Sequence, residues 1–255
     1  MKTVLTLAVL LSAPAMAALI QKKVGYELDK VKFEGVLISE DGGKPKPGIV
    51  LVPNWLGINE ANLKQAELVA SRGYTVFVAD MYGTAARPKN QDEAGKAAGA
   101  VKGNRALMRA RMKKALEVFL AQKSAQLDDK KVGAIGFCFG GTAALELARS
   151  GAKIQGVVSF HGGLGSPTPD DAKNITAKIL ALHGADDPFV PAEEVAGFEA
   201  EMRNAKIDWQ LVAYGNAVHS FTDVDANMEG KAKYNAAVAT RAYLAMDSFF
   251  AEAFR

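Results

Sequence analysis

The chain has 255 residues, of which 49% are hydrophobic and 23% are charged, a composition typical of one ordinary globular domain. Its 31 basic and 28 acidic residues give a net charge of +3 without any basic block, which argues against a nucleic-acid partner. One cysteine cannot form a disulfide within the chain, and three scattered histidines lack the spacing of metal ligands, so the sequence predicts no metal site and no cofactor.

The N-terminus has the three parts of a secretory signal peptide. A positive start at Lys2 precedes the apolar run Val4–Leu11, and Ala15-Met16-Ala17 has the A-x-A pattern of a cleavage site. We therefore predict that residues 1–17 are a signal peptide, cleaved after Ala17, and that the protein is exported to the periplasm or secreted. A membrane anchor is the alternative, although the run is too short to span a bilayer. Residues 18–255 are predicted to form a single domain without a membrane partner.

Strand and helix patterns alternate along this domain. Val31–Ser39 alternates in polarity and is predicted to be an antiparallel edge strand beside Val24–Leu28. Short apolar runs predict the strands Gly48–Pro53, Tyr74–Ala79, Val132–Phe137, Ile154–Phe160, Ala177–Gly184 and Ile207–Tyr214. Amphipathic stretches predict the helices Asn59–Arg72, Asn104–Gln122, Ala192–Arg203 and Lys231–Phe250, while Gln91–Gly103 is interpreted as a loop with a weak helix. The alternation favours an α/β fold with a mostly parallel central sheet, helices on both faces and an antiparallel N-terminal edge.

The segment Gly136-Phe-Cys-Phe-Gly-Gly141 contains the only cysteine and lies between a predicted strand and a predicted helix. This is the G-x-S-x-G nucleophile elbow with sulfur in place of the serine oxygen. At a helix N-terminus, the backbone N–H groups and the helix dipole favour the thiolate form of Cys138. A buried structural cysteine is the alternative, because free cysteine often packs as a small hydrophobic residue.

An acid and a histidine follow the cysteine in the order that the hydrolase triad requires. Asp186 and Asp187 both lie on the loop after the strand Ala177–Gly184, and His219 lies in the loop Gly215–Thr222 after the next strand. His219 is predicted to exchange a proton with the thiol, and one of the two aspartates is predicted to orient its imidazole. The other two histidines, His161 and His183, end strands; each is interpreted as a satisfied strand-end residue, with a supporting role at the site as the alternative.

Together these segments resemble the dienelactone hydrolase family, a cysteine-nucleophile branch of the α/β-hydrolases. The resemblance runs from about Gly25 to the C-terminus and rests on Pro53-Asn-Trp-Leu-Gly-Ile-Asn59, Asp80-Met-Tyr-Gly83, Gly136-Phe-Cys-Phe-Gly-Gly141, Asp187-Pro-Phe-Val-Pro191 and Gly215-Asn-Ala-Val-His-Ser-Phe221. It implies an α/β-hydrolase fold and a triad of Cys138, Asp187 and His219. Asp187 is preferred over Asp186 because, in the family, a single residue separates the acid from Phe-Val-Pro.

The hydrolase fold also suggests which groups surround the reacting carbonyl. The backbone N–H groups of Phe139 and Trp55 are expected to form the oxyanion hole. The Trp55 side chain is expected either to line the acyl pocket or to cap the core. We expect Asn54, Tyr82, Arg87 and Phe221 to line the substrate pocket.

Two positions depart from the family's pattern. Asn54 stands where the best-known members have a glutamate that helps to activate the thiol. Asp223 stands where they have an arginine that binds an anionic substrate, and a carboxylate there would repel such a substrate. Arg87 is the only basic candidate for the other arginine of that clamp.

The sequence therefore predicts an exported hydrolase that cleaves an ester, lactone or thioester of a small-molecule substrate, in the manner of a carboxymethylenebutenolidase, through a thioester acyl-enzyme. Two alternatives remain open. One is a peptidase-like acyl hydrolase on the same triad, and the other is a non-catalytic ligand-binding protein on the hydrolase fold. A monomer is the default expectation for the oligomeric state.

Overall fold

The computed structural model describes residues 18–122 and 126–255, so the predicted signal peptide, residues 1–17, lies outside the described residues. The strands are β1 (Leu19–Leu28), β2 (Val31–Glu40), β3 (Lys46–Val52), β4 (Thr75–Val78), β5 (Leu127–Phe137), β6 (Gly156–Phe160), β7 (Lys178–Gly184), β8 (Trp209–Tyr214), β9 (Asn227–Met228) and β10 (Ala232–Lys233). The α-helices are α1 (Glu60–Ala70), α2 (Gln91–Gly103), α3 (Arg105–Leu120), α4 (Phe139–Arg149), α5 (Ala192–Asn204) and α6 (Ala236–Ala253).

The first eight strands form one sheet in the order β1-β2-β4-β3-β5-β6-β7-β8. β1 pairs antiparallel with β2, and β2 pairs antiparallel with β4. All pairs from β4 onward across the sheet are parallel. The predicted fold class, a mostly parallel sheet with an antiparallel N-terminal edge, is confirmed.

Helices cover both faces because successive strand residues point to opposite sides of the sheet. Val50 and Val52 pack on one face in a core that includes residues of α2, α3, α4 and α5. Ile49 and Leu51 pack on the other face in a core that includes residues of α1 and α6. Burial of both faces explains why the parallel strands read as continuous apolar runs in the sequence.

Several predicted elements differ from the structure. β2, predicted to be the edge strand, lies between β1 and β4, and β1 and β5 each begin five residues earlier than predicted. The stretch 91–103 is a full helix rather than a weak one, and the Asn90 side chain caps it by accepting a hydrogen bond from the N–H of Glu93. The last helix begins at Ala236 rather than Lys231, because Ala232–Lys233 pairs with Asn227–Met228 in a short hairpin. Across residues 18–122 and 126–255, no helix is long and apolar enough to cross a membrane.

The carboxyl ends of the parallel strands lie along one edge of the sheet, where ligands bind in such folds. Segment 53–59 follows β3, Cys138 follows β5, and His161 follows β6. The loop 185–191 follows β7, and the loop 215–222 follows β8. The topology therefore brings together segments that are far apart in the sequence.

Candidate active site

Cys138 lies in the sharp turn between β5 and α4, with φ at 55° and ψ at −118°. A positive φ is rarely adopted by a residue with a side chain, so this turn is strained. Glycines on either side make it possible. A Cβ on Gly136 would lie 1.9 Å from the carbonyl oxygen of Gly140, and a Cβ on Gly140 would lie 2.1 Å from that of Val52. The Cys138 side chain is left half-buried at the start of α4.

The predicted histidine and acid meet in the folded chain. Nδ1 of His219 lies 2.7 Å from Oδ2 of Asp187, and both residues are buried. The other carboxylate oxygen of Asp187 accepts a hydrogen bond from the N–H of Phe189 at 2.8 Å. Asp186, the rival acid in the sequence, is exposed. The structure thus places Asp187, not Asp186, where it can orient the His219 ring.

His219 also interacts with Cys138. Burial by itself would lower the pKa of His219, but its hydrogen bond to Asp187 and the proximity of Cys138 raise it to about 10. An imidazolium between a carboxylate and a thiolate is stabilised by opposite charges on both sides. The raised pKa of His219 therefore reflects the acidic groups on both sides of its ring.

A second imidazole lies directly behind the cysteine. Nδ1 of His161 accepts a hydrogen bond from the N–H of Cys138 at 3.2 Å, and Nε2 lies 2.8 Å from the hydroxyl of Thr222. Burial, followed by the charge of His219, lowers the pKa of His161 well below its usual value. His161 is thus a satisfied residue at the end of a strand. His183 is not: its buried Nδ1 has no hydrogen-bond partner in the part of the chain described, and burial lowers its pKa.

The expected oxyanion donors lie on the two segments that flank the cysteine. In the described ranges, no hydrogen bond has the backbone N–H of Trp55 or Phe139 as its donor. The Trp55 segment is held in place by its own carbonyl, which accepts a hydrogen bond from the hydroxyl of Tyr82 at 2.8 Å. The ring of Tyr82 lies 5.8 Å from that of Phe139, centroid to centroid. Tyr82 is therefore a support of both segments, and it is buried.

Asn54 is buried beside the Trp55 segment and is fixed on both sides of its amide. Its Oδ1 accepts hydrogen bonds from the N–H of Leu56 at 3.0 Å and from Nδ2 of Asn62 at 2.9 Å. Its Nδ2 donates to Oδ2 of Asp223 at 3.3 Å. Burial, the largest influence, raises the pKa of the Asp223 carboxyl.

Asn54 and Asp223 also form part of the wall of a cavity of about 570 Å³ beside the site. Its charged wall groups are Glu60, Asp223, Asp225 and Lys64, and Lys64 pairs with Glu60 at 2.8 Å. The remaining wall residues are Leu56, Asn59, Ala61, Asn62, Gln65, Leu68, Thr222, Val224 and Tyr243. The cavity is of a size that takes a small organic molecule, and carboxylates outnumber ammonium groups on its wall.

Of the four expected pocket residues, only Asn54 lines this cavity. Tyr82 is buried and supports the Trp55 segment, and Arg87 and Phe221 also lie outside the wall. The guanidinium of Arg87 lies 3.3 Å from the buried carboxylate of Asp80 and also bonds to Glu34, so it neutralises Asp80 instead of facing the cysteine. Phe221 is fully buried, with its ring edge-on to His161 at 4.9 Å between centroids. The corrections for Arg87 and Phe221 have a similar cause: neighbouring residues in the fold satisfy the one side chain and cover the other.

Sequence reasoning did not single out Thr222, Asn62 or the contact between His161 and Cys138. Thr222 stands next to Phe221, in the loop that carries His219. Its place in the loop of His219 could have identified Thr222 as a candidate site residue. Asn62 lies in α1 and carried no comparable signal.

Comparisons with known proteins show the family and the fold of the chain. The sequence model of the dienelactone hydrolase family matches residues 33–254. A solved protein named m3DLH superposes with a TM-score of 0.87 at 36% identity, covering 94% of this chain and 100% of that one. A dienelactone hydrolase-like promiscuous phosphotriesterase from metagenomic libraries gives a TM-score of 0.87 at 37% identity, with the same coverage. A carboxymethylenebutenolidase homolog of Xenopus tropicalis is 28% identical over 125 residues, which are 48% of this chain and 50% of that protein.

Proposed function

Because the chain belongs to the dienelactone hydrolase family, we propose that this hydrolase cleaves a carboxylic ester, lactone or thioester with Cys138, His219 and Asp187 as its catalytic triad. One observation carries the proposal. The imidazole of His219 is hydrogen-bonded to Asp187 through one nitrogen and interacts with Cys138 at the strained elbow. This is the nucleophile, base and orienting acid of the hydrolase triad.

Acylation begins when the Cys138 thiolate attacks the carbonyl carbon and the carbonyl π electrons move to oxygen. The N–H groups of Trp55 and Phe139 hydrogen-bond the resulting oxyanion. The tetrahedral intermediate then collapses, the bond to the leaving oxygen or sulfur breaks, and His219 transfers its proton to that leaving group. The products of this half-reaction are an alcohol or thiol and a thioester on Cys138. Losing one oxyanion donor typically costs about 3 kcal/mol of transition-state stabilisation.

Deacylation uses the same groups in reverse order. His219, now neutral, removes a proton from water, and the oxygen attacks the thioester carbonyl. The second tetrahedral intermediate expels the Cys138 thiolate and releases the carboxylic acid. Asp187 keeps Nδ1 of His219 protonated in both halves, so Nε2 carries the exchanged proton.

The charges on the cavity wall favour a neutral or cationic substrate over an anionic one. Glu60 is already paired with Lys64, so the carboxylates of Asp223 and Asp225 dominate the field near Asn54. A substrate carboxylate placed there would be repelled. We therefore propose that anionic dienelactones are poor substrates, although the chemistry of the family is retained.

The test is turnover of p-nitrophenyl acetate by the wild-type protein and by C138A, with folding checked by circular dichroism. We expect C138A to remain folded and to lose turnover. The comparison with H219A under iodoacetamide separates the enzyme from a non-catalytic binding protein: we expect rapid labelling of Cys138 that H219A slows. Turnover by C138A equal to that of the wild type would falsify the nucleophile assignment. A matching p-nitroanilide tests for the peptidase-like alternative.

Phosphotriester cleavage is a second candidate. The relative named a promiscuous phosphotriesterase shares 37% identity over nearly the whole chain. The Cys138 thiolate would attack phosphorus and expel p-nitrophenolate, and water would then hydrolyse the phosphorylated Cys138. The same oxyanion donors would face the phosphoryl oxygen in both steps. Assay of paraoxon beside p-nitrophenyl acetate tests this candidate; release of p-nitrophenol from paraoxon by the wild type and not by C138A is the expected result.

For location, we propose export with removal of residues 1–17, as their pattern suggests. Intact mass of the protein from an exported preparation tests this. A mass that starts at Ala18 is expected, and a mass that includes Met1 would contradict export by a cleaved signal peptide.

A further inference from the structure

His161 connects the turn that carries Cys138 with the loop that carries His219, and the proposed reaction needs these two segments at a fixed distance. Its Nδ1 bonds to the backbone N–H of Cys138 at 3.2 Å, and its Nε2 bonds to the hydroxyl of Thr222 at 2.8 Å. Cys138 is the nucleophile in the proposed reaction, and Thr222 lies three residues beyond the proposed base, His219. The imidazole is 1% exposed, so water does not replace either bond.

These two bonds fix the protonation state of the ring. A backbone N–H can only donate, so Nδ1 of His161 must carry a lone pair toward Cys138. The remaining proton of a neutral imidazole is then on Nε2 and is donated to Thr222. Thr222 can receive it, and its hydroxyl oxygen also accepts a hydrogen bond from Nε2 of Gln65 at 3.2 Å.

The elbow needs this support because its backbone is strained. The N–H of Cys138 is shared between Nδ1 of His161 and the carbonyl oxygen of Phe160, at 3.2 Å and 3.0 Å. His161 itself has a φ of 40°, so two adjoining turns hold unfavourable backbone conformations. Such conformations persist when surrounding contacts over-determine them.

The ring of His161 also contacts the base directly. Its centroid lies 5.3 Å from that of His219 in an edge-on arrangement, and 4.9 Å from that of Phe221. The loop that carries His219 therefore rests on the same imidazole that holds the Cys138 backbone. A shift of this ring would change the separation between the thiol and the base.

From this geometry we infer that His161 is a positioning residue, which sets the distance and orientation between Cys138 and His219 through its bonds to the Cys138 amide and to Thr222. The inference rests on the proposed function for the roles of those two residues. His161 touches no reacting atom in it.

Two conservative pairs of variants test this inference. His161→Phe keeps a ring but has neither hydrogen bond, whereas His161→Asn keeps an acceptor near the position of Nδ1. Thr222→Val keeps the side-chain shape and removes the hydroxyl, whereas Thr222→Ser retains it. For each folded variant we would measure kcat and KM with p-nitrophenyl acetate, and the pH profile of Cys138 alkylation by iodoacetamide.

We expect H161F to lower kcat about tenfold, because both hydrogen bonds of the ring are lost, with KM within about twofold of wild type. Its alkylation profile is expected to move to higher pH, because a displaced His219 stabilises the thiolate less. H161N is expected to restore most of kcat and the wild-type profile. T222V is expected to lower kcat about threefold, and T222S to restore it.

Wild-type kcat and alkylation profile in folded H161F would overturn the inference, as would equal losses in H161F and H161N. If H161F does not fold, T222V decides: wild-type behaviour there overturns the inference, and a loss restored by T222S supports it. The alkylation profile needs no turnover. It therefore reports on His161 even if C138A turnover shows the proposed function to be wrong.

Discussion

The two ends of α4 differ in every respect that matters for function. At its start, Cys138 has a strained backbone, a half-buried thiol and neighbouring N–H groups that are expected to bind an oxyanion. At its end, Arg149 is 1% exposed and bonded on all sides. Its guanidinium makes two bonds to Glu201 at 2.8 and 2.7 Å, one to Glu146 at 3.1 Å and one to the carbonyl of Leu164 at 2.8 Å.

The charges at both ends suit the helix dipole. The Arg149 guanidinium faces the negative C-terminal end of the dipole, and the thiolate proposed for Cys138 would face the positive N-terminal end. Arg109 extends the network at the Arg149 end with a 2.7 Å bond to Glu146, whose side chain is fully buried. The two ends differ in hydrogen bonding: the buried charges at the end are paired, whereas the backbone N–H of Phe139 at the start donates no hydrogen bond in the described residues.

The largest expected effect comes from the acid at the start of the helix. Asp187→Asn should lower kcat for p-nitrophenyl acetate about 10⁴-fold, because an amide can hydrogen-bond His219 in the wrong tautomer and cannot stabilise the imidazolium. The melting temperature should also fall at neutral pH, because the Asp187 carboxylate helps to raise the pKa of His219 and so stabilises the folded state. Steady-state kinetics and thermal denaturation measure the two effects.

Asp186→Asn is the matched control for that change, because Asp186 is the adjacent acid and is exposed. It should retain wild-type kcat. Equal losses in the two variants would show that the loop, and not the bond between Asp187 and His219, matters for turnover.

At the other end of α4, the expected effect is on stability. Arg149→Ala leaves the buried carboxylate of Glu201 without its partner, which should cost about 3–5 kcal/mol of the free energy of unfolding. Activity per folded molecule should stay near wild type. Urea denaturation and active-site titration of the thiol measure these two quantities.

Arg203→Ala provides the comparison within the same region. Arg203 pairs with Glu199 at 3.7 Å, and its side chain is 65% exposed, so its loss should change the free energy of unfolding by no more than about 0.5 kcal/mol. A destabilisation of R149A no greater than that of R203A would mean that the buried network does not hold the helix in place.

Stability at the start of α4 should depend on pH. The pKa of His219 is raised from its ordinary value of 6.5 to about 10 in the folded chain. The folded state therefore binds this proton more tightly than the unfolded state does. The resulting stabilisation is fully present below pH 6.5 and is lost as the pH rises toward 10, with a slope of at most about 1.4 kcal/mol per pH unit.

Urea denaturation of wild type and His219→Gln between pH 6.5 and 10 measures this contribution. In the glutamine variant, the free energy of unfolding should lack the part of its pH dependence that His219 contributes. Parallel curves for the two proteins would place the proton on some group other than His219.

The start of α4 was far easier to predict from the sequence than its end. The elbow is a local pattern, in which Gly136 and Gly140 flank Cys138 at fixed spacing. Arg149 pairs with Glu201, which lies 52 residues further along the chain, so no local pattern indicates the pair. The strands followed from their apolar runs because both faces of the sheet are buried.

Where a prediction differs from the structure, a helix cap or contacts in the folded chain outweigh the signal that the local sequence gives. In 91–103, the glycines at 95, 99 and 103 weaken the helical signal, since each costs up to about 1 kcal/mol in a helix. The Asn90 cap and the burial of Ala94 and Val101 outweigh that cost. Arg87 was assigned to the pocket as the only basic candidate, but the buried charge of Asp80, seven residues earlier, binds it.

The smallest expected effect concerns the charge beside the start of the helix. Asp223→Asn removes a carboxylate from the cavity wall and keeps an amide of the same shape. Two substrates are compared: p-nitrophenyl hemisuccinate, which has a free carboxylate, and its neutral methyl ester. The ratio of kcat/KM for the first to kcat/KM for the second should rise about fivefold in D223N. This is a partly screened charge effect of about 1 kcal/mol.

The pH dependence of that ratio sharpens the same prediction. Burial raises the pKa of Asp223, so in the wild type the discrimination against the carboxylate ester should weaken as the pH falls and Asp223 gains its proton. D223N should show a smaller change over the same range. Asp170→Asn, at an exposed carboxylate in an ion pair with Lys173, is the control and should leave the ratio unchanged. A ratio in D223N equal to that of the wild type would mean that the substrate does not extend into the cavity beside Asn54, whatever the triad does.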